Sequence, residues 1–137
     1  MLQGSFLAEM LDDEVSLASQ RLGQRAPGLA HDGRYVTCPM AAPDGTPVLL
    51  RLDATQYDAE PVRVDICDLK GTPLPAPMWP NGLLHSIHPV TGQPFVCIQG
   101  VYEYYIHPSH HKDRWDTVRA THRISPVLEH LLQKAGR

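Results

Sequence analysis

Between residues 5 and 23 the apolar positions Leu7, Leu11, Val15, Ala18 and Leu22 recur at spacings of three and four. That period places them on one face of a helix. Asp12, Asp13, Gln20 and Arg21 fall on the other side, and Gly23 with Pro27-Gly28 beyond it supplies the stop. The pattern then changes. Arg34 to Met40 is rich in β-formers, Ala42-Pro43-Asp44-Gly45-Thr46 reads as a turn, and Pro47 to Leu52 carries Val48, Leu49, Leu50 and Leu52. A hairpin centred on Asp44-Gly45 is predicted. From Pro61 onward Val62, Val64 and Ile66 alternate with Arg63, Asp65 and Cys67, the signature of a third strand with one buried and one wet face.

Gly71, Pro73, Pro75, Pro77 and Pro80 punctuate the next stretch. Neither a helix nor a central strand tolerates that density, so an ordered or polyproline-like loop is predicted, with Met78 and Trp79 pinning it to the body. Gln93 to Ile98 predicts a fourth short strand with Cys97 near its end, and Asp116 to Arg123 a short helix. Ser125-Pro126 reads as an N-cap followed by proline at the first helical position. Val127, Leu128, Leu131 and Leu132 form the apolar face of that last helix, and Gly136 lies past its end. The expected fold is α+β: an N-terminal helix, a four-stranded antiparallel meander, an irregular segment carrying the chemistry, and a C-terminal helix. Residues 1–137 show no internal repeat and no boundary, so a single domain is expected.

Composition narrows the function classes. With 137 residues, 42% of them hydrophobic and 20% charged, the chain can build a core of its own. A net charge of −3 without a run of Lys or Arg disfavours a sequence-independent nucleic-acid binder. No apolar run approaches a membrane span, and the N-terminus lacks the pattern of a signal peptide. The expectation is a soluble, cytoplasmic protein with neither nucleic acid nor membrane as partner. Cys38, Cys67 and Cys97 are few, odd in number and widely spaced, which argues for free thiols. Cys38 and Cys67 sit in strand-like sequence as small buried hydrophobes.

Cys97 has different neighbours. His88-Pro89 leads through a glycine-containing turn to it, and Tyr102-Glu103-Tyr104-Tyr105-Ile106-His107-Pro108-Ser109-His110-His111 follows. Five of the chain's eight histidines, His85, His88, His107, His110 and His111, lie between residues 85 and 111. One chemistry for such a set is nucleophilic: nearby cationic or hydrogen-bonding groups raise the thiolate fraction of a cysteine. Acyl transfer through Cys97 also needs an oxyanion donor and a base for the acceptor, and Glu103, His107 and Asp113 are the helper candidates, with no cofactor required. The other chemistry is a zinc site. Thiolate, carboxylate and imidazole are all zinc ligands, and Cys97, Glu103, His107 and His110 or His111 complete a tetrahedral set. The two are largely exclusive, because a metal would occupy the thiol.

The order of these features resembles the ubiquitin-conjugating enzymes. Tyr57-Asp58-Ala59-Glu60-Pro61-Val62 is similar to the segment preceding that family's third strand. His88-Pro89 resembles its His-Pro-Asn motif, Cys97-Ile98 its nucleophile and Trp115 its tryptophan, and the helix from Pro126 is similar to the one that crosses behind its sheet. The resemblance implies a thioester of a ubiquitin-like protein on Cys97, a mainly structural role for His88 and a protein acceptor. It also implies a ubiquitin-activating-like enzyme docking on the N-terminal helix. Val90 stands where the family has asparagine, the segment from Cys97 to Trp115 is longer than usual, and one helix follows where most members have three. These departures resemble the divergent bacterial relatives. The Cys97, Glu103, His107, His110/His111 set also resembles a predicted Cys-Glu-His-His metal-binding domain of bacterial ubiquitin-like gene clusters, which implies zinc and an accessory role.

Overall fold

The computed structural model describes residues 4–137. Helix α1 spans Gly4–Leu22, and all five of its periodic apolar positions are buried. A four-stranded antiparallel sheet follows, in the order β1 (Ala30–His31), β2 (Tyr35–Ala41), β3 (Pro47–Asp53) and β4 (Arg63–Cys67). Strands β2 and β3 pair from Tyr35 opposite Asp53 to Ala41 opposite Pro47. The turn falls where predicted, closed by Ala42 N–H to Thr46 O at 2.8 Å and by Thr46 N–H to the Asp44 carboxylate at 2.9 Å. The inner sheet face carries Val36, Cys38, Met40, Val48, Leu50, Leu52, Val64 and Ile66. These side chains form one core with α1 and with the last helix, α4 (Ile124–Lys134), which comes after the short helices α2 (Tyr102–Tyr105) and α3 (Trp115–Val118).

The sheet is antiparallel and four-stranded, but its fourth member differs from the expected one. Gln93–Ile98 does not join it; the outer strand is Ala30–His31, turned onto β2 by Asp32, whose carboxylate accepts from the N–H groups of Arg34 and Tyr35. Only Pro94–Phe95 (β6) is extended in a ladder, and it pairs with Ser86–Ile87 (β5) as a separate two-stranded hairpin. The physical reason lies at the edge of β4, which other segments already occupy. Val62 pairs with Val101, Tyr102 N–H reaches Val62 O at 2.8 Å, the Glu103 carboxylate accepts from Val64 N–H, and Leu74 N–H reaches Ile66 O at 2.9 Å. An unpaired edge is a liability that folds cover, and here it is covered by loop and helix instead of a strand. Pro94, lacking an N–H, limits the alternative ladder as well.

The last helix begins one residue earlier than its predicted cap. Ser125 is buried inside its first turn and Arg123 occupies the cap position without a capping side chain. The cap comes from α1: Glu14 Oε1 accepts from Ile124 N–H at 3.0 Å and from the Tyr57 hydroxyl at 2.8 Å. Arg123 closes this network by pairing with Glu14 and, at 2.9 Å, with Asp58. Trp115 donates its indole N–H to Asp58 O at 2.8 Å, and Trp79 packs into the core as expected. No helix among the described residues is long and apolar enough to cross a membrane.

Candidate active site around Cys97

Two glycines allow the segment bearing Cys97 to wrap closely on α4. A Cβ on Gly82 would lie 1.8 Å from Lys134 O, and one on Gly100 would lie 2.6 Å from a Val127 methyl; both glycines have positive φ. Between them run the β5–β6 hairpin and Cys97, and helix α2 (Tyr102–Tyr105) follows Gly100. Two turns follow, linked by His110 N–H to His107 O and Asp113 N–H to His110 O, each at 2.9 Å.

His88 builds this corner. It is 1% exposed. Its Nδ1 lies 3.0 Å from Val90 N and 3.3 Å from Thr91 N, so it accepts from both, while Nε2 lies 2.9 Å from Glu103 O and must donate. The partners assign a neutral imidazole with its proton on Nε2. The ring also packs edge-on against Phe95. His88 thus ties the His-Pro turn to α2.

Next to the thiol stands His110. Its Nε2 is 3.7 Å from Cys97 Sγ and its Nδ1 is 3.7 Å from Asp113 Oδ2. The Nδ1–Asp113 contact is longer than a hydrogen bond; in the tautomer with the proton on Nδ1, the Nε2 lone pair faces the thiol. Tyr104 holds both partners. Its ring stacks on His110 with centroids 3.8 Å apart and planes 15° off parallel, and its hydroxyl donates to Asp113 Oδ2 at 2.6 Å. Thiol, imidazole and carboxylate therefore stand in sequence, an order that can activate a weak nucleophile when the contacts close. Cys97 is partly exposed. Burial pushes its thiol pKa up, opposed by the positive charge of Lys134. The resting group is a thiol, so reactivity depends on a base that takes its proton.

The remaining candidates are placed elsewhere. Glu103 is 8% exposed and its Oε1 is 2.8 Å from Val64 N, on the sheet edge and not at the thiol. Burial raises its pKa to about 7, against the lowering effects of the Val64 N–H and Arg63. His107 caps the turn after it, with Nδ1 accepting from Ser109 N–H at 3.1 Å, and its ring stacks on Phe95. Its pKa is lowered, by burial first and then by His88, His110 and His85. His111 is exposed and directs Nδ1 at Pro108 O, 3.2 Å away. Of the Cys-Glu-His-His set, His110 stands beside Cys97 while Glu103 and His111 are directed elsewhere, and no group of three or more His, Cys, Asp or Glu side chains that could hold a metal ion is found among the described residues. Tyr104 and Lys134 were not singled out by sequence reasoning. The i, i+3 spacing of His110 and Asp113 was the one available signal for their pairing. No family model matches the chain, and no curated protein matches it.

Proposed function

We propose that the protein is an acyl carrier and transferase that uses Cys97 as its nucleophile, in the manner of a divergent bacterial ubiquitin-conjugating enzyme. The observation that carries the reading is the Cys97–His110–Asp113 series, with contacts of 3.7 Å at each step. Such contacts are commonly loose without substrate and tighten when the reacting group is bound. In the forward step Cys97 Sγ attacks the carbonyl of an incoming thioester. Its proton passes to His110 Nε2, the imidazolium is stabilised by Asp113, and the departing sulfur of the donor leaves as the old C–S bond breaks and takes the proton back. The donor is a ubiquitin-like protein held by an activating-type enzyme, and the ultimate acceptor is another protein. The order of helix, antiparallel sheet, cysteine-bearing segment and helix supports this reading, as does the buried, neutral His88, which plays the scaffolding part the resemblance implies. Helix α1 exposes Phe6 and Leu17, a surface suited to docking of the activating partner.

The test is a loading reaction with ATP, a bacterial ubiquitin-activating-type enzyme and its ubiquitin-like protein. A thiol-sensitive adduct is expected on the wild type and none on Cys97→Ala. His110→Ala is expected to slow loading by about 10²-fold, and alkylation of Cys97 by iodoacetamide should accelerate steeply above neutral pH because the thiol is resting in its protonated form. An undiminished adduct on Cys97→Ala would remove Cys97 from the chemistry.

A further inference from the structure

His110 meets the thiol through its Nε2 edge and Tyr104 through its ring face, and the second contact differs from every other aromatic pair in the fold. The other pairs among the described residues have centroids 4.7 to 6.1 Å apart, most of them edge-on. The Tyr104 and His110 centroids are 3.8 Å apart with planes 15° off parallel. At that distance the two faces overlap. Neutral rings avoid overlap, because their quadrupoles present like charge face to face, and they settle offset or edge-on at roughly 4.5–7 Å. A cation over a tyrosine face is attracted instead. The stack therefore suits an imidazolium better than a neutral imidazole, and it involves the histidine whose Nε2 is 3.7 Å from Cys97 Sγ.

We infer that Tyr104 is a positioning residue of this centre, whose ring face stabilises the imidazolium that His110 becomes while Cys97 attacks. The inference rests on the reading of Cys97 as the nucleophile. In the acylation step the Sγ–H bond breaks and its proton passes to His110 Nε2. The sulfur bonds the carbonyl carbon, the bond to the leaving group breaks, and the imidazolium returns the proton to the departing group. With Nδ1 already protonated, the imidazole is cationic only in this interval. The contact with Tyr104 is then stronger in the transition state than at rest, which speeds the chemical step without tightening substrate binding.

Tyr104 is fixed for that task. Its hydroxyl donates to Asp113 Oδ2 at 2.6 Å, and its ring packs at 73° against Tyr105, whose own hydroxyl accepts from Gly100 N–H at 3.1 Å. The Asp113 carboxylate, ahead of burial, pushes the Tyr104 phenol pKa up, so the hydroxyl remains a donor. Asp113 also lies 3.7 Å from the Nδ1 side of the imidazole. Carboxylate and ring face thus support the same transient charge from two directions.

The full chain with p-nitrophenyl acetate tests the inference without a protein partner. A burst of p-nitrophenolate with an acetyl group on Cys97, absent in Cys97→Ala, is expected; no burst and no acetyl on Cys97 would overturn the carrier reading itself. Two replacements then vary the face at nearly constant shape and without the hydroxyl: Tyr104→Phe, and pentafluorophenylalanine in place of Tyr104, whose fluorines strip the negative charge from the ring face. Acylation at saturating ester is expected to be about five-fold slower with the fluorinated ring than with phenylalanine, with the half-saturating ester concentration unchanged. In a His110→Ala background the difference between the two should vanish. Equal rates, a change confined to half-saturation, or a difference that survives His110→Ala would overturn the role of Tyr104 and leave the carrier reading standing.

Discussion

Glu103 offers the sharpest quantitative check on how the site is anchored. Its carboxylate is 8% exposed and receives a backbone N–H from Val64 at 2.8 Å. A hydrogen bond to a carboxylate favours the ionised form, and Arg63 favours it too, but burial and the nearby Asp65 act the other way and burial is the largest cause. The folded pKa therefore rises from 4.5 to about 7, which corresponds to about 3 kcal/mol of stability. The sign is as follows. Below the unfolded pKa both states hold the proton and no penalty exists. Between pH 4.5 and 7 the unfolded chain ionises while the folded protein keeps its proton, so stability falls as pH rises, and above the folded pKa the loss is complete. Glu103→Gln retains a carbonyl oxygen for Val64 N–H and removes the ionisation. Urea unfolding of both proteins, measured at intervals from pH 4 to pH 8, gives the difference directly and cancels the histidines common to both. The variant is expected to gain on the wild type by about 3 kcal/mol across that range, whatever constant offset its extra amide donor introduces at acid pH. A difference that stays flat with pH, or runs downward, would refute the assignment of Glu103 as a buried, proton-binding anchor.

The network that caps α4 should be equally exposed to test. Glu14→Ala leaves the Tyr57 hydroxyl and Ile124 N–H without their acceptor and removes one of Arg123's two carboxylates. A loss of about 2–4 kcal/mol in urea unfolding is expected, with Glu14→Gln losing clearly less. A pair of glycine variants separates backbone strain from close approach. Gly45 has φ +89° with nothing within 4 Å of an added Cβ, whereas Gly82 has φ +90° and would drive its Cβ to 1.8 Å from Lys134 O. Gly45→Ala is expected to cost about 1–2 kcal/mol and Gly82→Ala at least twice that by thermal or urea unfolding; equal costs would mean that the loop over α4 yields freely.

Legibility in the sequence followed the range of the interactions concerned. The helix face from Leu7 to Leu22, the Asp44-Gly45 hairpin and the alternation from Val62 to Ile66 depend on neighbours a few residues away, so period and turn chemistry revealed them. Ala30–His31 is too short to show a period, and the exclusion of Gln93–Ile98 from the sheet reflects a competition for the β4 edge that no local pattern records. Ser125 looked like a cap because serine followed by proline usually is one; the actual cap, Glu14, is 110 residues from the N–H it accepts.

At the site, the residue order by itself determined that a cysteine, a histidine-rich segment and a structural His-Pro turn lie close together, since all fall within 26 residues from His88 to Asp113. Which of the donors meet was decided only in three dimensions. Glu103 and His110 share the same stretch, yet the open edge of β4 draws the Glu103 carboxylate to Val64 N–H, while the turn from His107 to Asp113 folds the His110 ring back between Tyr104 and Cys97. The sequence offered two exclusive sets of partners for one thiol. The tertiary structure brings His110, a member of the zinc set, to the thiol and turns Glu103 away from it, because a buried backbone N–H at a sheet edge requires an acceptor.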